Sequence, residues 1–220
     1  MREIHAATFV TLDGIMQAPG GPDEDPAGGF AFGGWSVPYF DEAVGQAIGE
    51  AFAEPFDLLL GRKTYEIFAA HWPHLPDDPM AQTLNAATKY VATRSDLELG
   101  WVNSVALRGD AVGQIADLKA GEGPKLLIQG SSRLIQDLLA HHLIDRFTLI
   151  VSPVVVGQGK RLFGSGAKPM ALDLVSSRVS ATGVTIATYR RTGEVRTGSF
   201  ALPEPTQDEV RRRERLSAEG

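Results

Sequence analysis

The chain has 220 residues, of which 43% are hydrophobic and 22% are charged, and its formal net charge is -6. This composition is that of an ordinary globular protein, and the length suits one domain with an appended tail. The acidic balance argues against a general nucleic-acid-binding protein, because affinity for a phosphate backbone comes from clustered lysine and arginine. The absence of cysteine excludes disulfides, thiolate metal sites, iron–sulfur clusters and a cysteine nucleophile.

The N-terminal segment predicts an intracellular protein. MREIHAATFV lacks a basic stretch, a long apolar core and a small-residue cleavage site, so it does not resemble a signal peptide. No apolar stretch approaches the ~20 residues that cross a bilayer. We therefore expect a cytoplasmic protein that does not bind a membrane.

The first two thirds of the chain alternate predicted strands with predicted helices. Ile4–Val10 is rich in β-branched and aromatic residues and predicts a strand. Residues 18–34 are rich in glycine, proline and aspartate and predict a long functional or mobile loop. Val37–Phe52 predicts a helix with Phe40 on its apolar face. Further strands are expected at Asp57–Leu60, Lys89–Thr93, Val102–Leu107 and Lys125–Gln129, and further helices at Thr64–Trp72, at Ala111–Ala120 and after Ser131.

From Asp145 onward the chain predicts strands without intervening helices. They begin at RFTLIVSPVVVG and continue at Ala171–Arg178 and Val184–Tyr189. This change predicts an α/β fold with a mostly parallel sheet, an antiparallel C-terminal section and helices on both faces. We expect one domain at residues 1–190, followed by a polar tail at 191–220 that is either a surface helix or disordered.

Two strand-to-helix junctions carry glycine, at Gly61 and Gly130. The first turn of a helix leaves backbone N–H groups unpaired, and a glycine there lets an anion approach them. Hydroxyl or cationic side chains accompany these junctions and a third strand end, namely Arg62, Lys63, Thr64, Thr93, Arg94, Ser95, Ser131 and Ser132. A ligand with several phosphates, such as a dinucleotide, could use all three. The simpler alternative, in which the glycines make turns and the serines cap their own helix, stays open.

Other functional motifs are absent. Gly157-Gln-Gly159 lacks the third glycine of a dinucleotide-binding fingerprint, and neither a P-loop nor a nucleophile elbow occurs. The five histidines show no metal-ligand spacing, so no metal site is predicted.

Several motifs occur in a specific order: TLDG at 11–14, LLLGRKTYE at 58–66, KYVATR at 89–94, LLIQGSSRLIQDLL at 126–139 and SPVVVGQGKRLF at 152–163. The order of these motifs along the chain resembles that of the dihydrofolate-reductase-like superfamily. More narrowly, it is similar to bacterial proteins related to the C-terminal reductase domain of the bifunctional riboflavin-biosynthesis deaminase/reductase. The resemblance covers roughly residues 1–190.

This resemblance implies an NADPH-dependent oxidoreductase, usually a homodimer. Its substrate would be a small conjugated heterocycle, pterin-like or flavin-like, reduced by hydride transfer. The resemblance implies cofactor binding by Gly14, Gly61, Arg62, Lys63, Thr64, Thr93, Arg94, Ser95, Gly130, Ser131 and Ser132. Thr93, Arg94 and Ser95 would lie near the 2′-phosphate and favour NADPH over NADH.

The resemblance says less about which residues would contact the substrate. Asp13 is the candidate proton donor, and its alternative role is that of an Asx-turn residue. Trp35 and Tyr39 could stack on an aromatic substrate, whereas Phe40 is expected in the core. Ile15 follows TLDG where relatives in the riboflavin pathway usually carry a cation, which weakens recognition of a phosphoribosyl substrate. A non-catalytic nucleotide-binding sensor or accessory protein on the same fold is the alternative function.

Overall fold

The computed structural model describes residues 1–96, 98–164 and 167–219. Its strands are β1 (Ile4–Thr11), β2 (Phe56–Gly61), β3 (Lys89–Ala92), β4 (Ser104–Leu107), β5 (Lys125–Ile128), β6 (Arg146–Ser152), β7 (Ala171–Val179) and β8 (Thr185–Gly193). Its α-helices are α1 (Glu42–Phe52), α2 (Arg62–Ala69), α3 (Pro79–Ala86), α4 (Ala111–Ala120), α5 (Ser132–Leu139) and α6 (Gln207–Glu219).

All the strands within the described residues belong to one sheet, in the order β4-β3-β2-β5-β1-β6-β8-β7. The pairs from β4 across to β6 are parallel, whereas β8 runs antiparallel to both β6 and β7. The prediction of a mostly parallel sheet with an antiparallel C-terminal section is confirmed.

Successive side chains of a strand point to opposite faces of the sheet, and helices cover both of these faces. In β1, Ile4 and Ala6 pack into the cluster that holds Ile115 of α4 and Leu138 of α5. Ala7 instead joins the opposite cluster, with side chains from α1, α2 and α3. The parallel strands are therefore buried on both faces, which accounts for apolar runs such as Leu58–Leu60.

The predicted helix at Val37–Phe52 begins later than expected, at Glu42. Asp41 has extended backbone angles, φ -136° and ψ -177°, and its carboxylate accepts a hydrogen bond from the Val44 N–H at 3.1 Å. Asp41 is therefore the N-cap of α1. Phe40 precedes this cap with an extended backbone and is 53% exposed, so the prediction that it belongs to the core is wrong.

Helix α3 was not predicted, although its start carries two helix signals. Pro79 occupies the first turn, and the Asp78 carboxylate accepts from the Ala81 N–H at 2.9 Å.

The polar tail contains a surface helix, α6, which has no buried residue. Glu209 forms ion pairs with Arg212 at 2.6 Å and with Arg213 at 2.8 Å on this helix. Gly220, the last residue of the predicted tail, lies outside the described residues. None of the helices described by the structure is long and apolar enough to cross a membrane.

Candidate active-site cleft

The carboxyl ends of β3, β2 and β5 lie side by side, since these strands are adjacent and parallel. Thr93, Gly61 and Gly130 follow the three strands at this edge of the sheet. A cleft of about 1450 Å³ opens here, and all three residues line it. This volume exceeds the ~300–1,000 Å³ of a typical small-ligand pocket, so it has room for two ligands at once.

The Gly61 and Gly130 junctions touch each other directly. The Gly61 N–H donates to the Ser131 hydroxyl at 2.8 Å, although the two residues are 70 positions apart. A Cβ atom placed on Gly130 would lie 3.5 Å from the Thr64 methyl carbon, so this glycine packs closely against the first turn of α2. Gly130 and Ser131 both have positive φ, 74° and 62°, which turns the chain sharply into α5.

The helices at these two junctions begin without a side-chain cap. Asp41, Asp78 and Asp110 cap α1, α3 and α4 through their carboxylates, whereas neither Gly61 nor Ser131 makes such a bond to α2 or α5. The alternative in which Ser131 caps its own helix is therefore wrong, because its hydroxyl accepts from Gly61 instead. The first turns of α2 and α5 line the cleft with N–H groups that no side chain caps.

Cationic side chains surround the same part of the cleft, namely Arg62, Lys63, Arg94 and Arg133. Arg62 pairs with Glu66 at 2.8 Å, and Arg133 pairs with Asp137 at 3.3 Å, each one helical turn away. Exposed pairs of this kind contribute only ~0–1 kcal/mol. Breaking either ion pair therefore costs little free energy, so both guanidinium groups are available to bind an anion.

The third strand end, after β3, leads into a turn that is held by hydrogen bonds between Thr93 and Ser95. The buried Thr93 hydroxyl accepts from the Ser95 N–H at 3.1 Å and lies 3.0 Å from the Ser95 hydroxyl. Thr93 and Arg94 line the cleft, whereas Ser95 is not among its lining residues. Thr93 therefore positions the turn, and Arg94 presents its charge at the cleft.

The other end of the cleft lies between β1, β6 and α1. It is lined mainly by apolar side chains, including Phe9, Phe40, Ile48, Phe52 and Ile150. Thr8 and Thr148 add hydroxyl groups to this wall. Such a chamber suits a flat, largely apolar ring with a few polar edges.

Several residues of the loop at 18–34 line the cleft, and hydrogen bonds from Gln17 hold this loop in place. The Gln17 amide donates to the Asp25 and Ala27 carbonyl groups, each at 2.9 Å, and its oxygen accepts from the Lys160 N–H at 3.1 Å. The Lys160 ammonium group also forms an ion pair with the Asp25 carboxylate. Gln17, Asp25 and Lys160 all line the cleft.

Glu24 is a carboxyl group on this loop that also lines the cleft. Its carboxylate accepts from the Gly20 N–H at 2.6 Å. Burial raises the pKa of Glu24 above its usual value, in spite of hydrogen bonds from Gly20 and Gly21 that act in the opposite direction. A raised pKa keeps a larger fraction of this carboxyl group protonated, as a proton donor requires.

Asp13 and Gly14 form a turn outside the set of cleft-lining residues. The Asp13 carboxylate accepts from the Thr11 hydroxyl at 2.6 Å and from the Gly157 N–H at 2.8 Å. The bond from Thr11 is the largest cause that lowers the pKa of Asp13. These bonds fit a turn-forming role that joins TLDG to the SPVVVG segment, and the proton-donor role of Asp13 stays a prediction.

Of the three aromatic residues considered for the substrate, only Phe40 lines the cleft. Trp35 is 7% exposed, and its indole N–H donates to the Gln17 carbonyl at 2.7 Å. Tyr39 packs against the cluster that contains Val44. The substrate-binding roles of Trp35 and Tyr39 stay predictions. In the structure both side chains contact other parts of the protein and do not line the cleft.

Several polar groups of the cleft were not singled out from the sequence, namely Gln17, Glu24, Asp25, Thr148 and Lys160. Lys160 lies within the SPVVVGQGKRLF motif, but nothing in the motif assigns it to the cleft, and the other four residues belong to none of the motifs that carry the resemblance. The one available signal was the length of the loop at 18–34, which indicated function without indicating a residue.

The mixed sheet, with its cleft at the carboxyl ends of parallel strands, defines a dihydrofolate-reductase-like α/β protein. The model of the RibD C-terminal domain family matches residues 2–186. The chain belongs to this family.

The chain is also similar to several known proteins. Uncharacterized protein YyaP of Bacillus subtilis (strain 168) is 25% identical over 197 residues, covering 87% of this chain and 96% of YyaP. A pyrimidine reductase-like protein of Corynebacterium diphtheriae is 14% identical, with a TM-score of 0.58 and coverage of 88% of this chain and 93% of that one. The dihydrofolate reductase of Enterococcus faecalis, crystallised with NADP(H), is 16% identical, with a TM-score of 0.55 and coverage of 86% and 96%. The two structural likenesses concern the fold alone.

Proposed function

We propose that the protein is an NADPH-dependent oxidoreductase that reduces a small conjugated heterocycle, pterin-like or flavin-like, by hydride transfer. The observation that carries this proposal is the pair of helix N-termini, α2 and α5, that line one cleft without side-chain caps. The Gly61–Ser131 hydrogen bond joins them at 2.8 Å. Helix N-termini hold phosphate through free N–H groups and partial positive charge.

In this proposal the pyrophosphate of NADPH lies between the first turns of α2 and α5. Gly61, Thr64, Gly130, Ser131 and Ser132 surround it. The 2′-phosphate lies near Arg94, with Thr93 and Ser95 holding the turn that presents this side chain. Arg62 and Lys63 add positive charge along the phosphate path. The NADP(H) complex of the E. faecalis dihydrofolate reductase supports this cofactor, since that protein shares the fold.

The conjugated ring of the substrate would occupy the apolar end of the cleft. Phe40, Ile48 and Phe52 offer flat or aliphatic surfaces there, and the Thr8 and Thr148 hydroxyl groups can bond to ring nitrogen or oxygen atoms. The loop at 18–34 limits the access of water to this chamber. Exclusion of water is a main task of the protein when a nicotinamide supplies the hydride.

A proton must reach the substrate once it has accepted a hydride. Glu24 is the group that we propose for this step, since it lines the cleft and burial raises its pKa. Asp13 is less suited, because hydrogen bonds stabilise its charged form and hold it in a turn. No carboxyl group of α1 is among the cleft-lining residues that the structure describes.

Titration with NADPH, followed by NADPH oxidation with a panel of pterins, flavins and related heterocycles, tests the proposal. We expect saturable binding, a lower affinity for Arg62→Ala, and steady oxidation with at least one substrate. Binding without turnover on any substrate would favour the nucleotide-binding sensor. Absence of NADPH binding would contradict both functions.

We also propose that two copies of the chain associate. Strand β7 forms an edge of the sheet, and Leu174 and Val179 on it are 57% and 69% exposed. An exposed edge strand with apolar side chains is a pairing surface that monomeric proteins usually avoid. Light scattering should give the mass of a dimer for the wild type and of a monomer for Val179→Lys, and a monomeric wild type would contradict this proposal.

A further inference from the structure

A second, smaller cavity lies beside the candidate active-site cleft, between α1 and the strands β1, β6, β7 and β8. Its volume is about 220 Å³. Thr148, Ala47 and Ala51 line both this cavity and the cleft. Part of the cleft wall is therefore shared with the smaller cavity.

The lining of this cavity is rich in hydrogen-bond donors. Its side chains on the α1 face of the sheet include three hydroxyl groups, two guanidinium groups and one imidazole, from Thr148, Thr188, Ser176, Arg146, Arg178 and His5. Glu50 is the one carboxylate among its described lining residues. Hydroxyl groups and guanidinium groups together are the donors that oxyanions require.

Arg178 has a donor that lacks a partner. One terminal nitrogen of its guanidinium group pairs with the Glu50 carboxylate at 2.9 Å, whereas its Nε is buried and has no hydrogen-bond partner among the described residues. A buried donor without a partner destabilises the protein, and a ligand that accepts a hydrogen bond from it would remove that cost. The Glu50 side chain is 63% exposed, so an incoming anion can displace it towards solvent.

His5 and two threonines form the inner end of the cavity. His5 Nε2 lies 2.9 Å from the Thr148 hydroxyl, which lies 2.9 Å from the Thr188 hydroxyl. Burial, the largest cause, and the charges of Lys125 and Arg146 together lower the pKa of His5 to about 4, while the charge of Glu54 opposes them. His5 is therefore neutral at pH 7. Arg146 forms an ion pair with Glu3 at 3.1 Å, so the charge at the cavity is set by Arg146 and Arg178 together with their partners Glu3 and Glu50.

We propose that this cavity binds a small tetrahedral oxyanion, for which inorganic phosphate is the probe. Arg178 and Arg146 supply the positive charge, and the hydroxyl groups of Ser176 and Thr188, which share the α1 face of the sheet, complete the hydrogen bonding. A volume of about 220 Å³ admits such an ion with a few waters but excludes a nucleotide. The proposal does not depend on NADPH or on turnover.

The test is a phosphate titration at pH 7 and constant ionic strength, followed through the NMR signal of the His5 ring. We expect a saturable shift of this signal in the wild type and at least tenfold weaker binding in Arg178→Gln. Arg196→Gln is the matched control, because Arg196 is exposed and does not line the cavity. Arg62→Ala removes a cation of the cleft and should leave the His5 response unchanged.

Three results would overturn the proposal: no saturable shift of the His5 signal, the same phosphate affinity in Arg178→Gln as in Arg196→Gln, or loss of the response in Arg62→Ala. The last result would place phosphate in the cleft. Should Arg178→Gln fail to fold, Arg146→Gln takes its place with the same expected weakening. The pKa of His5 in the wild type gives a second readout, since a bound anion should raise it and an empty cavity should not.

Discussion

The backbone N–H of Gly61 and the hydroxyl of Ser131 are joined by a hydrogen bond of 2.8 Å between the first turns of two helices. This bond joins the N-termini of α2 and α5, and both of these N-termini line the cleft. It also removes Ser131 from the capping role that its position favours. The two phosphate-binding turns of the proposed site thus form one unit.

Removal of this bond should weaken cofactor binding more than it weakens the fold. We expect Ser131→Ala to lower NADPH affinity by about 2- to 12-fold, since one net hydrogen bond contributes ~0.5–1.5 kcal/mol. Isothermal titration calorimetry measures the change, and Ser217→Ala on the exposed α6 is the control. Equal affinities for the two variants would show that this bond does not position the site.

Arg94 should distinguish NADPH from NADH. Its guanidinium group lines the cleft beyond the Thr93 turn, where we place the 2′-phosphate. We expect Arg94→Ala to lower NADPH affinity about tenfold or more and to leave NADH affinity unchanged, because only NADPH carries that phosphate. A parallel loss for both cofactors would place Arg94 at the pyrophosphate, and no loss for either would place it outside the contact.

Glu24 should control the pH dependence of turnover. The protonated carboxyl group is the donor, so the rate should fall as the pH rises through the raised pKa of Glu24. We expect Glu24→Gln to lower kcat by ~10²–10⁴-fold with little change in NADPH affinity. Asp13→Asn is the comparison, because Asp13 was the donor expected from the sequence. A larger loss in Asp13→Asn than in Glu24→Gln would reverse the assignment.

Lys89 should make the stability of the fold depend on pH. Its ammonium group is buried, donates to the Leu84, Asn85 and Ala87 carbonyl groups, and lies 4.4 Å from the Trp101 ring centre. Burial lowers the pKa of Lys89 from 10.5 to about 8. Between these two values the unfolded chain binds more protons at this site, so stability rises with pH across that window.

Urea unfolding at several pH values checks this linkage. The free energy of unfolding of the wild type, relative to Lys89→Met, should increase from about pH 8 towards pH 10.5. A difference that stays constant over this range would mean that the three carbonyl groups and the Trp101 ring restore the ordinary pKa of Lys89.

The fold was largely predictable from the chain, and the substrate end of the site was not. Apolar runs such as Leu58–Leu60 and the late block of strands indicated a mixed sheet, because burial of strands leaves a local pattern. The Gly61 and Gly130 junctions were recognisable because each glycine ends one of these apolar strand segments. Glu24, Lys160 and Thr148 come together only through tertiary contacts, which leave no periodic signal. Phe40 was misplaced because Asp41 starts the helix later than the apolar pattern indicated.

Mapping of NADPH binding by backbone amide NMR tests the central claim most directly. The account predicts that saturating NADPH shifts the amide signals of residues 61–64 and 130–133 together, with one dissociation constant, and that NADH does so more weakly. Shifts confined to one of these two segments, or located on another face of the molecule, would contradict the account.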